Sequence, residues 1–336
     1  MKRIDVFNHI FPKKFFEKMI EIAPDGAYMQ KRVRNIPSIV DLDERFRMMD
    51  LFEDYVQVIC IPNPPIEVLG PPAVTTYMAR LANDGMAELV QKYPDRFPGF
   101  IASLAMNDPD EMMKEAERAI KDLGAVGVQV FTNVLGRPLT RPETMPLFDL
   151  MAKFDLPIWI HPARGADFPD YKEETKSHYE IWWTFGWPYE TSVAMAHIVF
   201  SGIFDKYPNI KIITHHMGGM IPYFEGRVGP GWDQLGSRTS DEDYSQILKR
   251  LKRRPIDYFH LFYADTALFG AREATICGLK FFGAERVLFA SDMPFDPEKG
   301  TAYIRWTIDI IDSLDIKPEE RQAIYEGNAK RIMKLK

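Results

Sequence analysis

Ile210-Lys211-Ile212-Ile213-Thr214-His215-His216-Met217-Gly218-Gly219 is a short β-branched run that ends on two histidines and a pair of glycines. Three further runs end in the same way, on ionisable residues: Asp5-Val6-Phe7-Asn8-His9, Ile160-His161-Pro162 and Ala290-Ser291-Asp292-Met293-Pro294. Around them the pattern repeats. Strands are predicted at 3–7, 56–62, 98–104, 126–132, 157–162, 210–215, 261–265 and 286–291, short and mostly apolar, as buried parallel strands are. Helical periodicity fills the intervals near 41–52, 73–93, 109–123, 143–154, 189–205, 269–281 and 301–313. The segment 109–123 opens on Pro109-Asp110-Glu111 and stops at Gly124, a sound start and stop. Residues 314–336 read as a closing helix from Pro318-Glu319-Glu320. Alternation of this kind gives a parallel barrel or a doubly wound sheet. No glycine-rich phosphate fingerprint follows the first strand, which disfavours a dinucleotide fold. The expected architecture is a (β/α)8 TIM barrel, one domain over 1–336.

Three connections are too long for simple turns: about 10–40, 163–188 and 227–258, after strands one, five and six. In a barrel each of them lies at the C-terminal mouth, where active sites are built. Hydrophobic residues are 46% and charged residues 27% of the 336, ordinary for a globular chain. The net charge of −6 argues against nucleic acid, whose readers carry a basic face. Cys60 and Cys277 are two thiols in apolar surroundings, read as free rather than as a disulfide framework. The N-terminal residues lead straight into a strand with no apolar signal core, and no run reaches the ~18 apolar residues of a spanning helix. The expected setting is cytoplasmic, without a membrane. Four of the six Trp fall between 182 and 232, which suggests a local aromatic wall.

If the barrel is right, His9, His161, His216 and Asp292 surround one mouth. Imidazole nitrogens and a carboxylate in one place make a divalent-metal site with a coordination position left open. Taken singly, each has a plainer reading: a histidine at a strand end is usually a satisfied polar residue, and Ser-Asp-x-Pro is usually a turn or cap. Their joint occurrence at strand ends one, five, six and eight favours the metal. Alternation along a strand puts Asn8 on the face opposite Phe7 and His9, and turns His215 toward the helices. His178, His197 and His260 are read as structural.

The chain resembles the aminocarboxymuconate-semialdehyde decarboxylase branch of the amidohydrolase superfamily, which includes γ-resorcylate decarboxylase. The resemblance runs nearly end to end. It is carried by Lys92-Tyr93-Pro94-Asp95-Arg96-Phe97, Leu123-Gly124-Ala125-Val126-Gly127-Val128-Gln129, Gly202-Ile203-Phe204-Asp205-Lys206-Tyr207-Pro208, His216-Met217-Gly218-Gly219, Phe262-Tyr263-Ala264-Asp265, Ser291-Asp292-Met293-Pro294 and Gly327-Asn328-Ala329. It implies a barrel with one divalent metal, zinc or manganese in the main, magnesium less often. By that resemblance His9, His161 and Asp292 are ligands, Asp292 also moves a proton, and His216 deprotonates a water or positions the substrate. It also points to arginines for a substrate carboxylate. Arg227, eleven residues after His216, matches one lent across a dimer interface; its plainer reading is a surface ion pair. Arg34, with Arg32 beside it, falls near a second, and Arg164 follows His161-Pro162-Ala163 at the mouth. Asp265 is expected to orient a neighbouring His or Arg.

One position departs from the pattern. The first strand of the resembled family ends in His-x-His or Glu-x-His, and here the first of those residues is Phe7. Either His9, His161 and Asp292 hold the metal with solvent and substrate, or His216 or a loop carboxylate completes the shell, or the metal is weak or absent. Trp182, Trp183, Phe185 and Trp187 are candidates for stacking on a planar substrate or for a dimer interface. The expected function is metal-dependent, non-oxidative decarboxylation of an aromatic or conjugated carboxylic acid, by a homodimer or higher homo-oligomer. A hydrolase or hydratase on the same scaffold is the alternative, and a barrel that only binds a partner is a third reading.

Overall fold

The computed structural model describes residues 1–23, 30–239 and 241–336. Strands β1 (Arg3–Asp5), β2 (Tyr55–Ile59), β3 (Gly99–Phe100, resumed at Ala102–Ser103), β4 (Val128–Phe131), β5 (Ile158–His161), β6 (Ile212–Thr214), β7 (Tyr263–Asp265) and β8 (Val287–Leu288) follow one another round a ring. Each pairs with the next in parallel: Ile4 with Val56, Val58 with Gly99, Ala102 with Val128, Phe131 with His161, Ile160 with Thr214, Thr214 with Ala264, and Asp265 with Leu288. The ring closes where Val6 N–H donates to Phe289 O at 3.0 Å and Asp292 N–H donates to Phe7 O at 2.8 Å. This is the (β/α)8 barrel expected from the sequence. The helices fall where periodicity put them, for example Pro72–Lys92, Pro109–Lys121, Met145–Phe154, Arg272–Phe282 and Ala302–Ser313. In Pro109–Lys121 the Asp108 carboxylate caps the first turn by accepting from Glu111 N–H at 3.1 Å.

The core has two layers, and their membership fixes which way each strand faces. An inner cluster fills the barrel: Ile4, Val6, Phe7, Val56, Val58, Cys60, Ile101, Trp159, Ile213, Leu288 and Ala290, closed below by Ala329, Ile332 and Met333. An outer cluster packs strands on helices and takes the alternate residues, such as Ile59, Val128, Ile158, Ile160, Ile212 and Val287. The strands are therefore apolar on both faces, the mark of a sheet covered on both sides.

The long connections gain detail, and the closing helix needs correction. The long connections are partly helical: Lys13–Ile22 and Pro37–Ile39 in the first, Ile181–Thr184 in the second, Glu225–Trp232, Ser245–Arg250 and Pro255–Phe259 in the third. They carry their own apolar anchors, Phe15 and Met19 among them. Residues 24–29 of the first connection lie outside the described residues. The closing segment is not one α-helix but Pro318–Gln322, a π turn at Ala323–Gly327, and Asn328–Met333. The wider turn frees Ile324 O to accept from Phe289 N–H at 2.9 Å, so the segment seals the end of β8. No helix among the described residues is long and apolar enough to cross a membrane.

Candidate active site at the barrel mouth

The floor of the mouth is set by how the two ends of the strand sequence are tied together. Asp5, wholly buried, accepts from Phe7 N–H at 3.1 Å and from Ser291 N–H at 3.2 Å, and also takes the Tyr55 and Ser291 hydroxyls. Burial outweighs these bonds and pushes its carboxyl up to about 6. The fully buried Arg45 guanidinium donates to His9 O, Asn8 Oδ1 and Gln57 Oε1, each at 2.7 Å. Asn8 thus faces away from the histidines, as alternation predicts. Clamped in this way, β1 and β8 present His9 and Asp292 side by side, with Nε2 and Oδ1 3.0 Å apart.

Four imidazoles gather around Phe7. Its ring centroid lies 4.5 Å from His9, 5.3 Å from His161, 3.4 Å from His215 and 5.8 Å from His216. Three of the four have Nδ1 engaged by an acceptor. His161 Nδ1 donates to Pro162 O at 2.8 Å, His216 Nδ1 to Ala267 O at 2.7 Å, and His215 Nδ1 to the buried Asp265 carboxylate. A carbonyl only accepts, so these bonds fix the proton on Nδ1 and leave Nε2 with its lone pair. Burial, with neighbouring imidazoles, holds His161 and His215 well below the usual histidine range, hence neutral.

His215 requires a correction. It does not face the helices: it is wholly buried and stacked on Phe7 at an interplanar angle of 20°. Ile213 belongs to the inner cluster, so residue 215 has the inward parity. His216 has the outward parity and reaches the mouth by another route. It and Met217 adopt left-handed backbone, φ 53° and 54°, which rotates the imidazole over the barrel end. Asp265 Oδ1 holds that turn by accepting from His216 N–H at 2.9 Å and Ala267 N–H at 3.1 Å. Asp265 therefore orients both histidines.

Above this floor lies a cavity of about 460 Å³, a size for one small ligand. His9, His161, His216 and Asp292 line its base; Trp182, Trp183, Trp187, Phe269, Phe295 and Tyr303 line its walls. Four strand ends far apart in sequence thus meet in one aromatic-walled cavity. The amidohydrolase family model matches residues 33–335.

The chain belongs to the amidohydrolase family.

Among its relatives, γ-resorcylate decarboxylase of Polaromonas sp. (strain JS666) is 31% identical over 93% of this chain and 92% of its own length. The 2-amino-3-carboxymuconate-6-semialdehyde decarboxylase of Dictyostelium discoideum is 28% identical over 87% of this chain and 82% of its own. A solved dihydroxybenzoic acid decarboxylase from Polaromonas sp. JS666, with bound manganese and the inhibitor 2-nitroresorcinol, superposes with a TM-score of 0.79 at 27% identity, covering 99% of this chain and 97% of that one.

The donors of this amidohydrolase fit a divalent ion in chemistry. His9 Nε2 and Asp292 Oδ1 are separated by the roughly 3 Å expected of two ligands on one ion with bonds of about 2.0–2.2 Å. His161 turns a bare Nε2 toward the same region, its ring 5.4 Å from that of His9. The set is not a ready-made shell: among the described residues no three His, Cys, Asp or Glu are preassembled to hold a metal.

Arg164 and Arg34 stand apart from the sequence reading. Arg164 is not in the cavity; it pairs with Glu190 at 2.9 Å and lies over Phe168. Arg227 lines a separate groove with Trp232 and Gln234. Arg34 is exposed and does not line the cavity, whereas Arg32 does. Arg32 donates to Phe295 O and lies over the rings of Phe295 and Trp183, at 5.2 and 6.0 Å. Phe185 points outward at 71% exposure, while Trp183 and Trp187 face the cavity. His178 and His197 are exposed, and His260 Nδ1 donates to Phe281 O at 2.7 Å, all away from the site. Sequence reading missed Arg45 and Asn63, whose Nδ2 donates to Pro162 O at 3.2 Å beside His161. Arg45 lies inside the helix Leu42–Met49, and Asn63, though it follows the second strand, is not ionisable, so neither was marked.

Proposed function

We propose that this chain is a metal-dependent, non-oxidative decarboxylase of planar aromatic or conjugated carboxylic acids, one barrel unit over residues 1–336. The observation that carries it is the His9–Asp292 pair at the base of an aromatic cavity, with His161 and His216 presenting bare nitrogens. Relatives that are decarboxylases of aromatic or muconate acids, one with manganese bound, support the same reading. His9, His161 and Asp292 would hold the ion, manganese or zinc. When bound, it supplies Lewis-acid stabilisation of developing negative charge.

The remaining chemistry belongs to side chains. Trp183 and Trp187 sandwich or edge the planar ring, contributing ~0.5–1.5 kcal/mol beyond burial. Arg32 is the single guanidinium among the described residues lining the cavity, and its fork suits a carboxylate or an ortho oxygen. His216, with Nδ1–H fixed on Ala267 O, presents a base that takes an acidic proton from the substrate or from water. That proton passes to Asp292, which returns it to the ring carbon. The carbon–carboxylate bond breaks, its electron pair stays on the ring carbon, that carbon gains the proton, and carbon dioxide leaves. Proton taken and proton given balance, so no oxidant is needed. A homodimer in the cytosol is the proposed setting. The exposed aromatics Phe185, Tyr189 and Tyr223, at 71%, 54% and 81% exposure, support an interface near the mouth.

The test is carbon dioxide release from a panel of hydroxybenzoates and muconate semialdehydes by manganese- or zinc-loaded protein. Release that depends on Asp292 is expected. Hydrolysis of esters or lactones with no carbon dioxide from any acid would replace this reading with the hydrolase one.

A further inference from the structure

The position nearest the centre of the imidazole cluster is held by a side chain with no donor atom. Phe7 is edge-on to His9 and His161, at interplanar angles of 81° and 62°, and nearly parallel to His215. The ring stacked on it is the most enclosed of the four, and its chemistry is unfinished. His215 is 0% exposed, its Nδ1 is bound to Asp265, and its buried Nε2 has no hydrogen-bond partner among the described residues. An orphaned buried nitrogen costs ~1–3 kcal/mol, so a partner in front of it would be stabilising. A histidine whose Nδ1–H is held by a carboxylate while Nε2 stays bare is the arrangement found for metal-ligating imidazoles, because the carboxylate fixes tautomer and ring angle.

The spacing agrees. With nitrogen–metal bonds of about 2.0–2.1 Å, two imidazoles on one ion have centroids roughly 4.5–5.5 Å apart for angles between 90° and 120°. His9 and His161 are 5.4 Å apart, inside that range; His161 and His215 are 5.7 Å apart, two tenths of an ångström beyond it. His9 and His215 are not in ring contact, so the ion must draw the three rings together as it binds; among the described residues the donor set is gathered but not preassembled.

We propose that His215, held by Asp265 and stacked on Phe7, is a third imidazole ligand of the divalent ion, joining His9, His161 and Asp292 through its Nε2. This rests on the metal-dependent reading above. It makes strand six supply both a ligand, His215, and a base, His216, from adjacent residues, and it makes Phe7 the plate that sets the angle of the ligand ring.

The test uses full-length protein loaded with manganese, zinc or cobalt, and reads metal rather than turnover. X-ray absorption on the wild type should count three imidazoles, and His216→Gln should leave the count at three. His215→Gln should lower it to two and weaken binding at least tenfold by calorimetry. Asp265→Asn should weaken it by about 10–100-fold, as loss of such a carboxylate does. A wild-type count of two, or unchanged affinity and cobalt absorption in His215→Gln, overturns the inference and leaves the metal reading intact; the orphaned nitrogen then faces an enclosed water. Failure of the wild type to retain any of the three ions sinks the metal reading and this inference together. Should His215→Gln not fold, the wild-type count alone decides.

Discussion

Replacing Glu67 by Gln should stabilise the protein, and more so as the pH rises. Glu67 sits in the short helix Ile66–Leu69, just beyond Asn63, which props His161. It is 3% exposed, and its two buried carboxylate oxygens find no partner among the described residues beyond Glu67's own backbone. Burial pushes its carboxyl from 4.5 up to about 8. The folded state therefore keeps its proton between pH 4.5 and 8, while the unfolded state gives it up. Fewer protons bound on unfolding means that stability falls as pH rises through that window. Each unit is worth ~1.36 kcal/mol, so the loss accumulates to about 5 kcal/mol by pH 8. Glutamine keeps the shape and never ionises. It leaves a buried amide unpaired, much as the protonated acid leaves a carboxyl, so the offset between the two at pH 5 should be small. Urea unfolding of both proteins at pH 5, 6, 7 and 8 isolates the effect, because the other buried groups titrate alike in each and cancel in the difference. The variant should gain ~1 kcal/mol per pH unit relative to wild type from pH 5 to 8. A difference that stays flat over that range would refute the claim that this carboxyl is held protonated by burial.

Asp292→Asn should lower carbon dioxide release by about 10²–10⁴-fold with the helical circular dichroism retained, since it removes the proton donor; substantial residual turnover would remove Asp292 from the proton role. Arg32→Ala should raise KM for an aromatic carboxylate about 10–100-fold, the value of a charged hydrogen bond of ~1.5–3 kcal/mol. Arg164→Ala should leave KM alone and cost ~1–3 kcal/mol of stability through the partly buried Glu190, so that a reversed pattern would exchange their roles. Dialysis against a chelator should abolish turnover without loss of helical circular dichroism, and manganese should restore it; turnover that survives exhaustive chelation would count against the metal.

Much of the site could be read before the fold was known because barrel chemistry sits at strand ends, and strand ends announce themselves. His9, His161 and Asp292 each follow a short, mostly apolar run, and each stands in the cavity base. What escaped was whatever depends on distance across the ring. Arg32 and Arg34 are two residues apart and chemically alike, and only the path of the first long connection puts Arg32 against Phe295 and Trp183. Arg164 directly follows the strand-five motif, yet Glu190, 26 residues on, draws it out of the cavity.

Sequence alone determined the alternation of strand and helix, the barrel that alternation closes into, and the residue types at four strand ends, because local periodicity and backbone preference act over a few residues and need no knowledge of the rest. The tertiary structure alone decided which of two adjacent histidines looks inward. Alternation along a strand says that His215 and His216 differ in facing, but not which faces the barrel; that depends on Ile213 packing with the inner layer, on Phe7 from the far end of the chain offering its ring, and on Asp265 stabilising the left-handed turn that brings His216 back over the mouth. Parity is a local quantity, and its origin is set by contacts between residues hundreds of positions apart.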